Sequence, residues 1–299
     1  MFDTETRTDT AQRLTFGSYR FFSEDGELEK LFRIADLPKE DREVLQRYAN
    51  KQGVGLQALR DFLDDLYRAA YKGRCLLVGF NLPFDLSRIA YDYAPARGRF
   101  AGGFSLGLWW WRDKSGREHR HRYRPRVGIK QIDSKRALKG FTARNEPDHV
   151  DLIPEDSETG ELEKGYKFRG HFLDLRTLAF ALTDRGYSLA DACEAFEVEH
   201  RKQRMRRHGA VTKEYIDYNR RDVLATSELA VKLLDEYGKH PITLQATKAY
   251  SPASIGKAYL RAMGIRPVLE RQPDFLQGIP WLRAVSVFRR AHQRATSGR

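Results

Sequence analysis

The order of apolar and polar positions divides this chain into strands and helices before any residue is given a role. Arg13 to Phe22 and Glu27 to Ile34 read as strands joined by a turn at Ser23 to Gly26, continuing a sheet from a first strand at the N-terminus. Asp41 to Asn50 and Leu56 to Lys72 read as helices. Cys75-Leu76-Leu77-Val78-Gly79-Phe80 is a short apolar run that predicts a strand, and Pro83 just beyond it suits a first helical turn. An irregular stretch follows from about Ala94 to Gly170. Within it, Leu106 to Trp111 and Arg117 to Tyr123 flank Asp113-Lys114-Ser115-Gly116, a hairpin turn. Tyr166 to Asp174 suggests a strand and Leu175 to Leu182 a helix. From Val211 to Glu236 the chain has no proline, and Ile216, Val223, Leu224, Leu229, Leu233 and Leu234 roughly follow helical spacing; this helix ends at Gly238, before Pro241.

Three segments of that layout carry acids in spacings that bear on chemistry. Asp3 and Glu5 stand two apart on the first strand, so alternation sends both to one face, where they can share a metal ion. Tyr218 and Asp222 stand four apart on the long helix and face one cleft. Asp85 falls in the first turn of the helix opened by Pro83, where the positive end of the helix dipole favours its ionised form. Asn81 just before that helix can cap it or hydrogen-bond a substrate. Four carboxylates gathered in this way suit two hard divalent cations and phosphodiester hydrolysis.

Together the segments Phe2-Asp3-Thr4-Glu5-Thr6, Asn81-Leu82-Pro83-Phe84-Asp85 and Tyr218-Asn219-Arg220-Arg221-Asp222 resemble the three motifs of the DEDD superfamily of 3′–5′ exonucleases, in its tyrosine-bearing branch. The resemblance is greatest to the proofreading domain of family-B, protein-primed-like DNA polymerases. A fourth, weaker match is Ser188-Leu189-Ala190-Asp191-Ala192. The resemblance implies an α/β, ribonuclease-H-like fold with a mixed central sheet flanked by helices. It implies that Asp3, Glu5, Asp85 and Asp222 hold two Mg²⁺ or Mn²⁺ ions, that Tyr218 orients the attacking water, and that Thr6, Asn81, Phe84, Ser188 and Leu189 grip the terminal nucleotides of single-stranded DNA. The expected organisation is an exonuclease domain over residues 1–240, with a β-hairpin-containing insert at about 99–170. A basic extension over 241–299 resembles the linker to a polymerase domain. Only Met1 and Phe2 precede Asp3, where the family carries a longer apolar run, so the first strand is expected to be short and its metal site loosened. Lys202 lies upstream of the third motif, in uncertain register with the family's lysine, and stays outside the catalytic set. Motifs of a polymerase are not found. Two alternatives therefore stand beside the enzyme: a catalytically weakened nucleic-acid-binding module of a larger assembly, and the proofreading fragment of a longer polymerase.

Composition adds a substrate class. Across 299 residues, Lys and Arg number 53 against 41 acids, a net charge of +12, and charge of that sign attracts phosphate backbones. The excess clusters at Arg117 to Arg126, Arg201 to Arg207 and Arg283 to Arg294. With 41% hydrophobic residues the chain can bury one large core or two smaller ones. Cys75 and Cys193 are too few for a disulfide framework and read as buried thiols of a reducing compartment. No apolar run reaches the length of a membrane span and no signal-peptide pattern opens the chain, so a cytoplasmic, nucleic-acid-associated protein is expected.

The remaining features have plainer readings. Strand alternation turns at least one of Trp109, Trp110 and Trp111 inward, and leaves the others as candidates to stack on bases. His119 and His121 read as a solvated strand face rather than metal ligands, and Asp174 as the cap of the helix after it. Asn145 to Lys164, acidic and interrupted by Pro147, Pro154 and Gly160, reads as a surface loop. Phe275 to Arg299 is a basic tail.

Overall fold

A computed structural model describes residues 1–121, 123–142, 168–200, 209–266 and 271. The acidic stretch at 145–164, the basic clusters at 201–207 and 283–294, and the tail from 275 lie outside them.

The chain opens with three antiparallel strands, β1 (Phe2–Thr6), β2 (Leu14–Ser23) and β3 (Gly26–Arg33), with β2 and β3 closing on a tight turn at Glu24 and Asp25. Helix α1 (Lys39–Gln52) ends at Gly53, whose left-handed φ of 66° terminates it, and leads into β4 (Gly55–Ala58), parallel to β3. The first sheet therefore has the order β1-β2-β3-β4 and mixed pairing. Leu56 to Ala58, expected to begin a helix, forms this edge strand because its backbone finds partners in β3; the helix α2 (Leu59–Leu66) starts only afterwards and continues as one π-helical segment, Tyr67–Lys72. Next come β5 (Leu76–Gly79) and α3 (Leu82–Arg88), with Pro83 in the first turn of α3, as its fixed φ prefers. The structure is mixed α/β, with a mixed sheet flanked by helices.

The stretch read as irregular is instead a second, antiparallel sheet. Its strands are β6 (Asp92–Pro95), β7 (Phe104–Gly107), β10 (Val127–Gln131) and β11 (Ala137–Phe141), in the order β11-β10-β7-β6. Each strand has four or five residues, too few for alternation to register in the sequence. The expected hairpin is present as β8 (Trp110–Arg112) and β9 (Glu118–Arg120). Trp109 is the inward tryptophan, its ring N–H donating to the carbonyl of Leu63 at 2.8 Å. Two members of the first basic cluster are turned inward too. Arg124 pairs with Asp64, and Arg126 is buried on Ser105 and on Asp92, 2.7 Å away. They hold the insert to the body rather than presenting charge to a ligand.

The chain then forms β12 (His171–Asp174), parallel to β5, followed by α4 (Leu175–Thr183), α5 (Leu189–Ala195), the long α6 (Lys213–Gly238) and α7 (Pro252–Ala262). Among the described residues no helix is long and apolar enough to cross a membrane. Two hydrophobic clusters result. One lies beneath the first sheet and takes in α1, α2, the insert and the start of α6; the other joins α4, α5, α7 and the rest of α6.

The first strand is short, as expected, yet firmly held. Phe2 is buried and packs on Phe62, which lies flat on Phe32 at 4.0 Å and also meets Tyr19 at 5.0 Å. On β2, Gly17 admits this arrangement: a Cβ there would stand 2.4 Å from both the Asp3 carbonyl and the Phe32 ring. From α6, Arg220 reaches back to Glu29 on β3 with two bonds of 2.6 and 2.7 Å, tying helix to sheet. Phe62→Ala should cost about 3–5 kcal/mol by cavity formation. Urea denaturation checks this, and a loss below 1 kcal/mol would show that the aromatic stack does not anchor β1.

Candidate active site

Asp3 and Glu5 project from β1 toward α6, as alternation requires. The helix meets them with Tyr215, Tyr218, Asn219 and Asp222, which share one face through i, i+3, i+4 and i+7 spacing and are all buried. The Asn219 amide nitrogen donates to Asp3 Oδ2 at 2.7 Å and lies 3.4 Å from Glu5 Oε1. The Tyr215 hydroxyl donates to the other oxygen of Glu5. Burial first, and then the charge of Glu5, push the Tyr215 hydroxyl far above its ordinary range, so it remains a donor at any physiological pH. Tyr218 is buried one turn from Asp222 and stacks on Tyr215 at 6.2 Å.

Asp85 comes to the same strand from α3. Its carboxylate accepts a bond of 2.7 Å from the hydroxyl of Thr4, the residue between Asp3 and Glu5. Alternation turns Thr4 away from those two, so Asp85 meets β1 on its own side. Expected to keep its charge easily, Asp85 does the reverse: burial pushes its carboxyl up to about 7, against the bonds from Thr4, and the charges of Asp174 and Glu5 raise it further. A helix terminus contributes about 0.3–1 kcal/mol, less than one pKa unit, which full burial overwhelms. The Asn81 side chain makes no cap bond; its carbonyl serves the first turn of α3, and the Leu82 N–H goes to Asp174 at 3.0 Å. Asp174 also caps α4 through the Thr177 N–H at 2.9 Å, which is the role read for it, and so pins two helix starts.

Sequence reasoning missed Tyr215, Asn219, Thr4 and Lys139. Lys139 on β11 is buried and lies 3.8 Å from Asp174; burial lowers its ammonium, and the carboxylate opposes that shift. Tyr215 and Asn219 had a signal, since they repeat the four-residue spacing of Tyr218 and Asp222 on the same face. Nothing local marks Thr4 or Lys139.

Other predicted residues have different surroundings. Ser188 is exposed and its hydroxyl is engaged in a capping box with Asp191, while Leu189 packs in the cluster of α4, α5 and α6. Phe84 is half-buried with Arg88 over its ring, and Thr6 is half-buried at the end of β1. His119 accepts or donates 2.7 Å from Asp113 and stacks on Trp111, as a strand-face residue would. Among the described residues, the cluster of His and acids with ligand atoms within 4.8 Å of one another is Glu199, His200 and Glu228. There Glu228 holds both the backbone N–H and the ring of His200, which accounts for the cluster as a lock between α5 and α6.

The acids at β1, α3 and α6 form an all-oxygen, anionic donor set of the kind Mg²⁺ and Mn²⁺ take. Asp85 is buried at a carboxylate-rich place, and a cation there would offset the repulsion that raises it. Comparison with protein-family models, with curated proteins and with solved structures finds no match.

Proposed function

We propose that this protein is a metal-dependent 3′–5′ exonuclease acting on single-stranded DNA, with a ribonuclease-H-like fold. The observation that carries the reading is the meeting at one short strand of Asp3 and Glu5, Asp85 from α3, and the α6 face that bears Tyr218 and Asp222. Asp3, Glu5, Asp85 and Asp222 would hold two divalent ions, which when bound lower the pKa of water and stabilise the leaving 3′-oxygen. The chain's own side chains do the positioning. Tyr215 and Asn219 fix the carboxylates of Glu5 and Asp3, Thr4 fixes Asp85, and the Tyr218 phenol orients the attacking water. Thr6, Asn81 and Phe84 border the place where a 3′-terminal nucleotide would sit.

The test is a time course with a 5′-labelled oligonucleotide. With Mn²⁺ or Mg²⁺ the purified protein should shorten it stepwise from the 3′ end, and EDTA should stop the reaction. A label lost from the 5′ end first, or rates equal in EDTA, would refute the assignment. RNA of the same sequence, run in parallel, reads the sugar preference.

One observation favours a second reading, a nucleic-acid-binding module with weakened catalysis inside a larger assembly. The Asn219 amide already bridges Asp3 and Glu5 and satisfies them without a cation. Salt-sensitive binding of single strands without nucleotide release, under several divalent ions, distinguishes this case.

A further inference from the structure

The segment after α6 and the helix α7 enclose a cavity of about 410 Å³ whose lining includes Lys248, Lys257 and Arg261 and no carboxylate. Thr243, Gln245 and Ser254 supply hydroxyl and amide groups among the cations. The cavity is built, not incidental. Ser254, Lys257 and Arg261 follow i, i+3, i+7 spacing on one face of α7. The facing segment is held by the Tyr237 hydroxyl on the Leu244 carbonyl at 2.6 Å, and by the contact of His240 with the Tyr259 hydroxyl at 2.8 Å.

Charge of the same sign continues beyond the cavity. Lys248 and Arg74 both bear on His171 at the start of β12 and add to the burial that lowers its imidazole; Arg99 bears likewise on Arg169. Among the described residues, Lys248, Lys257, Arg261, Arg99 and Arg169 take part in no ion pair. Like charges four apart on a helix, as Lys257 and Arg261 are, destabilise it, and a ladder of cations held together without acids is costly until an anion lies along it. Hydroxyl and amide donors between separate cations match the repeating phosphates of a polynucleotide. The position fits as well. Asp174 ends β12 beside Asp85, and His171 begins it, three residues or about 10 Å away along the strand.

We infer that this basic face is a second nucleic-acid contact, taking the sugar-phosphate backbone of a strand whose 3′ end lies at the acids. The inference rests on the nuclease reading and extends it from the terminal nucleotide to the strand behind it.

The test uses the full chain, a fluorescein-labelled oligothymidylate and EDTA, with anisotropy titrations at several NaCl concentrations. The triple variant Lys248→Ala, Lys257→Ala, Arg261→Ala should bind at least about tenfold more weakly and lower the slope of log K against log salt by about 2, since each phosphate contact on a single strand contributes roughly 0.7. A control triple on α1, Arg42→Ala, Arg47→Ala, Lys51→Ala, removes the same charge from another exposed face and should keep the slope. An unchanged slope in the first triple, equal losses in both triples, absence of binding by the unmodified protein, or equally good displacement by poly-glutamate would each overturn the proposal. Shortening in Mn²⁺ at saturating oligonucleotide reads the acids separately. A normal slope change with no shortening overturns the nuclease reading, whereas shortening with no slope change overturns the basic face alone.

Discussion

Asp222→Asn is expected to reduce metal-dependent release of 3′-terminal nucleotides by more than about 100-fold, the upper end for groups that only support a metal ligand. Asp222 is buried on the α6 face that carries Tyr215, Tyr218 and Asn219, and asparagine keeps its shape while removing its charge. Asp3→Asn should behave alike, because the same face meets Asp3 through Asn219. Asp235→Asn, exposed on the same helix, should retain the full rate. Thermal melts of all three variants separate loss of chemistry from loss of fold. Full activity in folded Asp222→Asn at saturating Mn²⁺ would remove this carboxylate from the mechanism and with it the assignment.

In metal-free protein, Asp85→Asn should be more stable than the unmodified chain at pH 8 and about equal to it near pH 4. The sign follows from the raised carboxyl. Its folded pKa of about 7 exceeds the ordinary value of 3.8, so the native state holds the proton more tightly than the unfolded one. Stability therefore falls as pH climbs between those values, and the deficit is complete above the upper one. Removing the ionisable group removes the deficit. A gain of 1 kcal/mol raises the melting temperature of a domain of this size by roughly 2–4 °C, and a shift of at least that order is expected. Mn²⁺ added at pH 8 should stabilise the unmodified chain and do little for the variant, since binding to the native state is what stabilises. A variant less stable than the parent by the same margin at both pH values would show that the Thr4 bond, rather than buried charge, governs this position.

Much of the scaffold was legible in the sequence, for a local reason. The β2–β3 turn, β5, the Pro83 start of α3 and the span of α6 each announce themselves within a few residues, where spacing and turn chemistry act. The pairs Asp3 with Glu5 and Tyr218 with Asp222 were legible for the same reason, because strand and helix periods alone fix which side chains share a face. The errors fall where that reasoning ends. Leu56 to Ala58 has helix-compatible residues, yet β3 offers it hydrogen bonds and it pairs. The insert's strands are too short to show a period, and its sheet is made by pairing Val127–Gln131 with segments on either side.

The sequence by itself determined the helices, the strands of the first sheet up to its edge, and which acids stand on a common face. Only the tertiary structure decided what meets those acids. Tyr215 reaches Glu5 across 210 residues, Asn219 reaches Asp3 across 216, and Thr4 reaches Asp85 across 81. It also decided the protonation of Asp85 and gathered the cations around α7. Contacts of such separation are selected by the summed packing of whole elements, and the field at a carboxylate depends on everything buried around it. Neither quantity is written in any short window of the chain.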